Sequence, residues 1–226
     1  MKRLTICMVL VGIAGCRPES PREIGDVNKR PDLGQIIEER SEVSEEKDAN
    51  PDKTEAELDK AIADYSEAIR LDPTDPLAYF NRGCTYDSKG AYYKANLGSS
   101  DRRKDEYDKA VADFTEAIRL NPDYAMAYRS RGSAHYYEGD FDRAIADYTE
   151  AIRVKPEDAM TYVLRGFAYA SNRTFDEAIA DYSEAIRLDP AHAVAYYNRG
   201  LAYKALGDKV KAEADLTRGR ELGFED

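Results

Sequence analysis

One sixteen-residue phrase recurs along the chain and limits what the chain can fold into. FDEAIADYSEAIRLDP at Phe175–Pro190 has close copies at Leu58–Pro73, Tyr107–Pro122 and Phe141–Pro156, and a more divergent copy at Val210–Gly223. A unit that returns at a regular interval predicts a stacked array of similar structural repeats. In such an array each unit buries its apolar face only against its neighbours.

A second phrase lies between the copies of the first and gives the period of the array. It contains one glycine in each copy, at Gly83, Gly132, Gly166 and Gly200. The last three glycines are 34 residues apart, whereas Gly83 and Gly132 are 49 residues apart. The period is therefore 34 residues, and the first repeat contains 15 additional residues at approximately 91–105.

Both phrases are predicted to be α-helical. In the first phrase the apolar residues follow a 3.6-residue period and form one stripe: Ala178, Ile179, Tyr182, Ala185 and Ile186. Pro190 ends this helix, because proline cannot continue the helical hydrogen bonding. In the second phrase the glycine lies inside the helix, where it costs about 1 kcal/mol relative to alanine. Its recurrence predicts that another helix passes too close to leave room for a Cβ atom.

At these positions the chain resembles the tetratricopeptide repeat (TPR) family. The family pattern is an aromatic residue, Gly and Tyr on a first helix, followed by Ala, an aromatic residue, Ala and Pro on a second helix. In the third repeat these positions are Tyr162, Gly166, Tyr169, Ala178, Tyr182, Ala185 and Pro190. Two departures recur in the copies: Tyr replaces Trp at the first aromatic position, and Arg replaces the Leu before the glycine. The resemblance covers approximately residues 55–223.

The resemblance implies an all-α solenoid of antiparallel helix pairs, with about four repeats after an N-terminal capping helix, within a domain at 54–226. A capping helix is expected over 54–72, because a second-helix phrase occurs there without a first-helix phrase. The expected repeats are 74–122 with its insertion at 91–105, 123–156, 157–190 and 191–223.

The insertion has the sequence AYYKANLGSSDRRKD and is the one locally basic and aromatic segment of an acidic chain. One interpretation is a lengthened helix with a solvated loop, because closing a longer loop costs little free energy. The other interpretation is a loop that contacts a partner, since insertions in repeat arrays often lie on a binding face.

Residues 1–16 are typical of a bacterial lipoprotein signal peptide. A basic start is followed by an apolar run too short to span a bilayer, and the run ends in Ile13-Ala14-Gly15-Cys16. This ending resembles a lipobox, whose cysteine receives the lipid and becomes the new N-terminus. The alternatives are an uncleaved anchor and an ordinary signal peptide, which would give a secreted protein. The residue directly after the cysteine is Arg17 and not an aspartate. By the resemblance, this favours an outer-membrane lipoprotein of the cell envelope.

Residues 17–53 predict a disordered acidic tether. They are rich in Glu, Ser, Asp and Pro and contain few aliphatic residues. Such a segment cannot bury enough apolar surface to offset its loss of conformational entropy. A plain spacer is the favoured interpretation, and a partner-binding segment is the alternative.

Composition and motifs argue against several classes of function. The formal net charge of −11 argues against nucleic-acid binding, which depends on Lys and Arg at phosphates. Nucleotide-binding glycine motifs and the HExxH motif are absent, and the only two histidines belong to different repeats. We therefore predict no catalytic, cofactor-binding or metal-binding residues, and a protein that is not an enzyme. The alternative is an enzyme whose active site lies in the insertion. It is disfavoured, because the insertion contains no histidine that could act as a base.

The recurrent arginine of the first helix predicts a structural ladder. It shares a helix face with the signature tyrosines, and a buried guanidinium needs a partner. Four of the five second-helix phrases have an aspartate just before their central aromatic residue, and in the last phrase the aspartate precedes Leu216. The predicted ladder joins Arg82, Arg131, Arg165 and Arg199 with Asp64, Asp113, Asp147, Asp181 and Asp215, and fixes helix register rather than binding a ligand.

The resemblance also implies a binding groove. In the TPR family, positions two, five, six, nine and twelve of the first helix line the concave surface. The corresponding groove residues are Leu77, Phe80, Asn81, Met126, Arg129, Ser130, Tyr136, Met160, Val163, Leu164, Phe167, Val194, Tyr197, Asn198, Leu201 and Lys204, with Cys84, Asp87, Ser133 and Ala170 at the remaining positions. The central part, at Val163, Leu164 and Phe167, is expected to be an exposed apolar patch, which would mark a partner site.

These features predict a protein–protein interaction scaffold tethered at the cell envelope by lipid on Cys16. The expected partner is an unidentified protein that inserts an apolar or aromatic peptide or helix into the groove. Only Arg129 and Lys204 of the groove are cationic, so the family's clamp for acidic C-terminal tails is poorly matched. The alternative is a structural protein that acts through homo-oligomerisation.

Overall fold

The structure, a computed structural model, describes residues 51–96 and 100–224, with side chains described over 55–93 and 101–224. These residues form nine α-helices and no strand. The helices are α1 (Pro51–Leu71), α2 (Pro76–Asn96), α3 (Ser100–Leu120), α4 (Ala125–Glu138), α5 (Phe141–Val154), α6 (Ala159–Ser171), α7 (Phe175–Leu188), α8 (Ala193–Leu206) and α9 (Lys209–Glu221). The predicted all-α fold is confirmed.

The helices stack in chain order as four pairs after a capping helix. Each first helix (α2, α4, α6, α8) packs against the second helix that follows it (α3, α5, α7, α9), and α1 packs against α2. Successive first helices also touch one another, whereas successive second helices in the described chain do not. The first helices therefore lie on the inner, concave side of the array.

The glycine inside each first helix marks the closest approach within a pair. A Cβ atom built on Gly166 would lie 2.6 Å from Cε1 of Tyr182, and one built on Gly83 would lie 2.8 Å from the ring of Phe114. Both distances are below any normal contact. The expectation that a second helix leaves no room for a Cβ atom is therefore confirmed.

The insertion of the first repeat is helical up to its tip. Helix α2 continues to Asn96 and α3 begins at Ser100, so the pair is a lengthened helical hairpin. The cap helix runs beside it, with Tyr93 Oη donating to Glu55 at 2.6 Å. The cap helix begins at Pro51, three residues earlier than predicted.

The turns between paired helices are capped by side chains and by left-handed residues. Asp140 and Asp208 accept hydrogen bonds from the backbone N–H groups of Arg143 and Lys211, at 3.2 Å and 3.1 Å. Gly139 and Gly207 follow α4 and α8 with φ of 86° and 87°. Arg173 occupies the matching place after α6 with φ of 66°, the one non-glycine residue of the described chain with positive φ.

The last repeat is closed by the chain itself. After α9, Phe224 folds back and stacks on Tyr197 of α8, with ring centroids 4.0 Å apart. Phe224 is buried by this contact. It was not predicted from the sequence that a residue beyond the last helix would cover the apolar surface that a following repeat would otherwise cover.

Candidate interaction surface

Four arginine–aspartate pairs run along the array. In each pair the arginine Nε and one terminal nitrogen donate to the two carboxylate oxygens, at distances between 2.6 and 2.9 Å. The pairs are Arg82–Asp113, Arg131–Asp147, Arg165–Asp181 and Arg199–Asp215. Asp64, the fifth predicted member, lies on the cap helix one repeat before the first pair. The hydrogen bonds to Asp113 raise the pKa of the Arg82 guanidinium, which therefore stays charged.

Each arginine also reaches the preceding repeat. Its remaining terminal nitrogen donates to a hydroxyl on the preceding second helix or the cap helix, at 3.0 or 3.1 Å. The acceptors are Ser66, Thr115, Thr149 and Ser183. These hydroxyls were not predicted from the sequence, although Ser or Thr follows two residues after the aspartate in every one of these copies. The arginine, its aspartate and the hydroxyl-bearing residue form a three-residue node that links neighbouring repeats. This linkage supports a structural role for the arginine.

Much of the predicted groove is buried. Val163, Leu164 and Phe167, the expected centre of an exposed patch, belong to the apolar core. Further groove residues that solvent barely reaches are Phe80, Asn81, Ser130 and Asn198. The expectation of an exposed apolar patch at Val163, Leu164 and Phe167 is therefore wrong.

The physical reason is the position of each first helix. It packs against its own second helix, the preceding second helix and the neighbouring first helices. Side chains at positions five, six and nine of a first helix therefore point toward these neighbouring helices. Val163 and Phe167, for example, are buried in one cluster with Tyr148 and Tyr182. Helical spacing alone shows which residues share a face, but not how much of that face the next repeat covers.

One row of apolar side chains remains accessible on the concave side. It comprises position two of the four first helices: Leu77, Met126, Met160 and Val194, here called the concave row. Met160 is 38% exposed, and the other three are half-buried against the core. The row therefore runs across all four repeats at the same helical position.

Three other predicted groove residues are already engaged within the chain. Arg129 donates to Asp158 at 2.7 Å, and the hydroxyl of Tyr136 lies 3.1 Å from that of Ser171. Tyr197 is stacked under Phe224. Leu201 is half-buried and Lys204 is exposed on α8.

Asp87, one of the remaining predicted groove positions, has a carboxyl group that is partly withdrawn from solvent. It lies at position twelve of α2, and its Oδ1 is buried without a hydrogen-bond partner. Burial raises the pKa of this carboxyl from 3.8 to about 6. The Asp87 carboxyl in turn contributes to the raised pKa values of Tyr107 and Tyr137, for which burial is the first cause.

A shallow, open cavity of about 380 Å³ lies at the opposite end of the first helices from the concave row. It is lined by Glu138, Gly139, Asp140, Phe141, Asp142 and Asn172. The side chain of Asn172 bridges the two turns by donating to Asp142 Oδ1 at 3.0 Å. Within the described side chains, no group of three His, Cys, Asp or Glu is arranged to hold a metal ion.

Family profiles agree with the repeat geometry over most of the chain. A profile of the TPR repeat matches residues 57–90, and profiles of the tetratricopeptide repeat match 96–159, 130–193 and 182–214. The chain belongs to the tetratricopeptide repeat family. Among proteins with curated descriptions, none matches the sequence.

Solved TPR structures share the fold at low sequence identity. A crystal structure of MamA is 25% identical with a TM-score of 0.65, and the match covers 77% of this chain and 95% of MamA. MamA from Desulfovibrio magneticus RS-1 is 24% identical with a TM-score of 0.62, covering 73% and 85% of the two chains. YrrB, described as a TPR protein with an unusual peptide-binding site, is 23% identical with a TM-score of 0.60, covering 84% and 91%.

No helix in the part of this TPR chain that the structure describes is long and apolar enough to cross a membrane. The predicted lipid-bearing Cys16 and the tether at 17–53 lie outside the described residues.

Proposed function

We propose that this TPR protein is a non-enzymatic interaction scaffold that binds an apolar segment of another protein along the concave row. The observation that carries the proposal is the row itself. Leu77, Met126, Met160 and Val194 place one partly exposed apolar side chain on each of four successive first helices. Accessible apolar surface of this kind on a soluble domain is typical of a partner site.

The charges near the row favour an apolar partner over an acidic one. Arg129, which could attract a carboxylate, is already bound to Asp158. Lys204 is exposed but lies at the far end of α8 from Val194. A helix or extended peptide that presents several aliphatic or aromatic side chains at repeat spacing fits the row best.

We further propose that the scaffold is held at the bacterial cell envelope by lipid on Cys16 and by the acidic segment 17–53. This part of the proposal is supported by the sequence alone. The apolar run before Cys16 is short, and the residues just before the cysteine are small. More than one acyl chain is needed for stable anchoring, and lipoprotein processing supplies several.

Affinity capture with the full-length chain tests the concave row. The parent chain, a Met126→Glu/Met160→Glu variant and a Leu71→Glu variant would each be incubated with bacterial envelope extract. Leu71 is a matched control, because it is 62% exposed but lies at the end of the cap helix. We expect a protein that the parent and the Leu71 variant retain and the double variant loses.

Capture that is equal for all three chains would refute the concave row as the binding site. The substituted methionines are half-buried or exposed, so loss of folding should be checked by circular dichroism. If the double variant unfolds, Met160→Glu alone provides the same comparison at the most exposed position of the row.

Metabolic labelling tests the anchor. Cells that express the full-length chain would be fed a radiolabelled fatty acid, and the label on the chain compared with that on a Cys16→Ser variant. We expect label and membrane fractionation that both depend on Cys16. An unlabelled parent chain would refute the lipid anchor without affecting the concave row.

A second candidate function is assembly of several copies of the chain. It is supported by exposed apolar side chains at the turn of the last repeat, where Leu206 is 49% exposed and Val210 is 82% exposed. These residues lie away from the concave row, so assembly and partner binding can coexist.

A further inference from the structure

The turn of the last repeat differs from the two regular turns before it. Leu206 and Val210 occupy places that Glu138 and Asp142 hold in the second repeat. They are two of the four large apolar side chains that are exposed in the described part of the chain. Polar residues at these places are normal for a solvated turn, so an exposed leucine and valine point to a contact.

Three lysines lie within two residues of these two apolar side chains in the sequence. Lys204, Lys209 and Lys211 are all exposed. Of the three, Lys211 is paired with Asp208 at 3.0 Å. These three lysines with Leu206 and Val210 form what we call the last-turn patch. It is an apolar and cationic surface on a chain with a formal net charge of −11.

The turn of the second repeat has the complementary character. Its cavity carries the carboxylates of Glu138, Asp140 and Asp142 around the ring of Phe141. Nearby cations compensate them in part: Arg143 Nε lies 3.4 Å from Asp140, and Lys104 lies 3.9 Å from Glu138. No cationic side chain lines the cavity itself.

We propose that a second copy of this chain covers the last-turn patch, with Val210 of one copy seated in the acidic cavity of the other. Lys209 and Lys211 would then face Glu138 and Asp142 of the partner copy. This inference rests on assembly, the second candidate function, and not on binding at the concave row.

The positions of the last-turn patch and the acidic cavity allow two copies to form the same contact twice, once in each direction. Both lie at turns that join a first helix to its second helix, which places them on the same edge of the array. Two copies set edge to edge in opposite directions therefore bring each patch to the other copy's cavity. A two-fold dimer has this property, because residue i contacts j and j contacts i.

The acidic cavity favours a second copy over a lipid surface. An anionic membrane would also attract lysines and accept aliphatic side chains. It offers no counterpart to the shaped cavity, which this chain itself supplies. At physiological ionic strength the net repulsion between two acidic copies is screened over about 8 Å, so the local pairs dominate.

Sedimentation equilibrium of the full-length chain in a density-matched mild detergent tests the contact. Four chains would be compared: the parent, Val210→Asp, Lys209→Glu/Lys211→Glu and Glu138→Lys/Asp142→Lys. Val210→Asp should fold, since aspartate occupies the equivalent places at Asp142 and Asp176. Leu71→Asp is the control for an exposed apolar residue elsewhere.

We expect a concentration-dependent dimer whose dissociation constant rises at least tenfold in Val210→Asp and in each charge variant, but not in Leu71→Asp. An equimolar mixture of the two charge variants should recover the dimer. A chain that stays monomeric at all concentrations overturns the proposal and the assembly function together. A dimer that none of the substitutions weakens overturns the proposed contact alone.

Flotation with phosphatidylcholine–phosphatidylglycerol vesicles distinguishes the lipid alternative. Vesicle binding by a monomeric chain, with loss of binding in Val210→Asp, would assign the last-turn patch to an anionic lipid surface and overturn the dimer. Comparison with the Cys16→Ser variant separates this binding from that of a lipid anchor.

Discussion

Arg82 and Asp113 are 31 residues apart, yet they form the same two hydrogen bonds as Arg165 and Asp181, which are 16 residues apart. The difference equals the 15-residue insertion, all of which lies between the two partners. The insertion lengthens both helices of the hairpin beyond the pair and leaves the pair itself in register. The arginine–aspartate node is therefore the fixed point of each repeat, and additional residues are accommodated beyond it.

We predict that removing one charged partner of a node destabilises the array more than replacing both partners by apolar residues. Arg165→Leu leaves the buried carboxylate of Asp181 without its guanidinium, and should lower the free energy of unfolding by about 3–5 kcal/mol. Asp181→Leu should cost a similar amount. The double substitution removes both charges and should lie within about 2 kcal/mol of the parent in urea unfolding.

The control for this cycle is an exposed pair on the same repeat. Arg187 donates to Glu184 at 2.6 Å with its guanidinium largely in solvent, so Arg187→Leu should lower stability far less than Arg165→Leu. Equal losses from Arg165→Leu and Arg187→Leu would contradict the structural role of the node.

The close approach at Gly166 gives a prediction with a definite sign. Alanine favours helix by about 1 kcal/mol over glycine. The new Cβ would, however, lie 2.6 Å from the buried ring of Tyr182, and overpacking of this kind costs about 1–3 kcal/mol. We expect Gly166→Ala to lower the unfolding midpoint in urea.

Ala180→Gly measures the helix-propensity effect separately, because Ala180 is exposed on α7. It should lower stability by about 1 kcal/mol. If Gly166→Ala were to raise stability by that same amount, the steric interpretation of the recurring glycine would be wrong.

The periodic features of this chain were predictable from its sequence because they depend on local spacing. The 34-residue interval predicted the helix pairs. The glycine of each first helix predicted a close approach of the second helix, which the structure shows between Gly166 and Tyr182. The arginine and aspartate of each node share faces that helical spacing identifies, as Arg165 and Asp181 do.

Features that depend on how repeats meet were not predictable in the same way. Spacing placed Val163 and Phe167 on the concave face, but only the stacking of neighbouring helices buries them. The hydroxyl of Thr149 belongs to one repeat and accepts a hydrogen bond from the arginine of the next repeat. The stacking of Phe224 on Tyr197 joins a residue beyond the last helix to a residue of α8. Each of these contacts depends on the angle between packed elements, which a sequence pattern does not contain.

Arg173 should be replaceable by glycine with a gain in stability. It follows α6 with φ of 66°, a conformation that glycine adopts at the matching Gly139 and Gly207. A left-handed conformation costs a side-chain-bearing residue about 1–2 kcal/mol, and part of this is offset because glycine loses more entropy on folding. Arg173→Gly should therefore raise the free energy of unfolding by about 0.5–1 kcal/mol in thermal or urea unfolding.

The reverse exchange provides the control. Gly139→Arg places a side chain where the backbone has φ of 86°, and should lower stability by about 1 kcal/mol. A loss of stability in Arg173→Gly would mean that the arginine side chain contributes more than the backbone strain costs.

Asp87 makes the stability of the first repeats depend on pH. Its buried carboxyl has a pKa of about 6, whereas the unfolded chain has the ordinary value of 3.8. Because the folded pKa is the higher one, the folded state binds the proton more tightly. The contribution of this group to stability is fully present below pH 3.8 and is lost as the pH rises through about 6.

Asp87→Asn should therefore stabilise the protein at pH 7.5, where the parent buries a charged carboxylate. The shift corresponds to an upper bound of about 3 kcal/mol, and we expect a gain of about 1–3 kcal/mol in urea unfolding. At pH 4 the folded parent carries a neutral carboxyl, so the gain should almost vanish. Asp105→Asn, at an exposed position of α3, is the matched control for removal of a carboxylate. A gain from Asp87→Asn that is equal at both pH values would show that the side chain acts through packing, because only removal of a charge makes the effect follow the titration of the carboxyl.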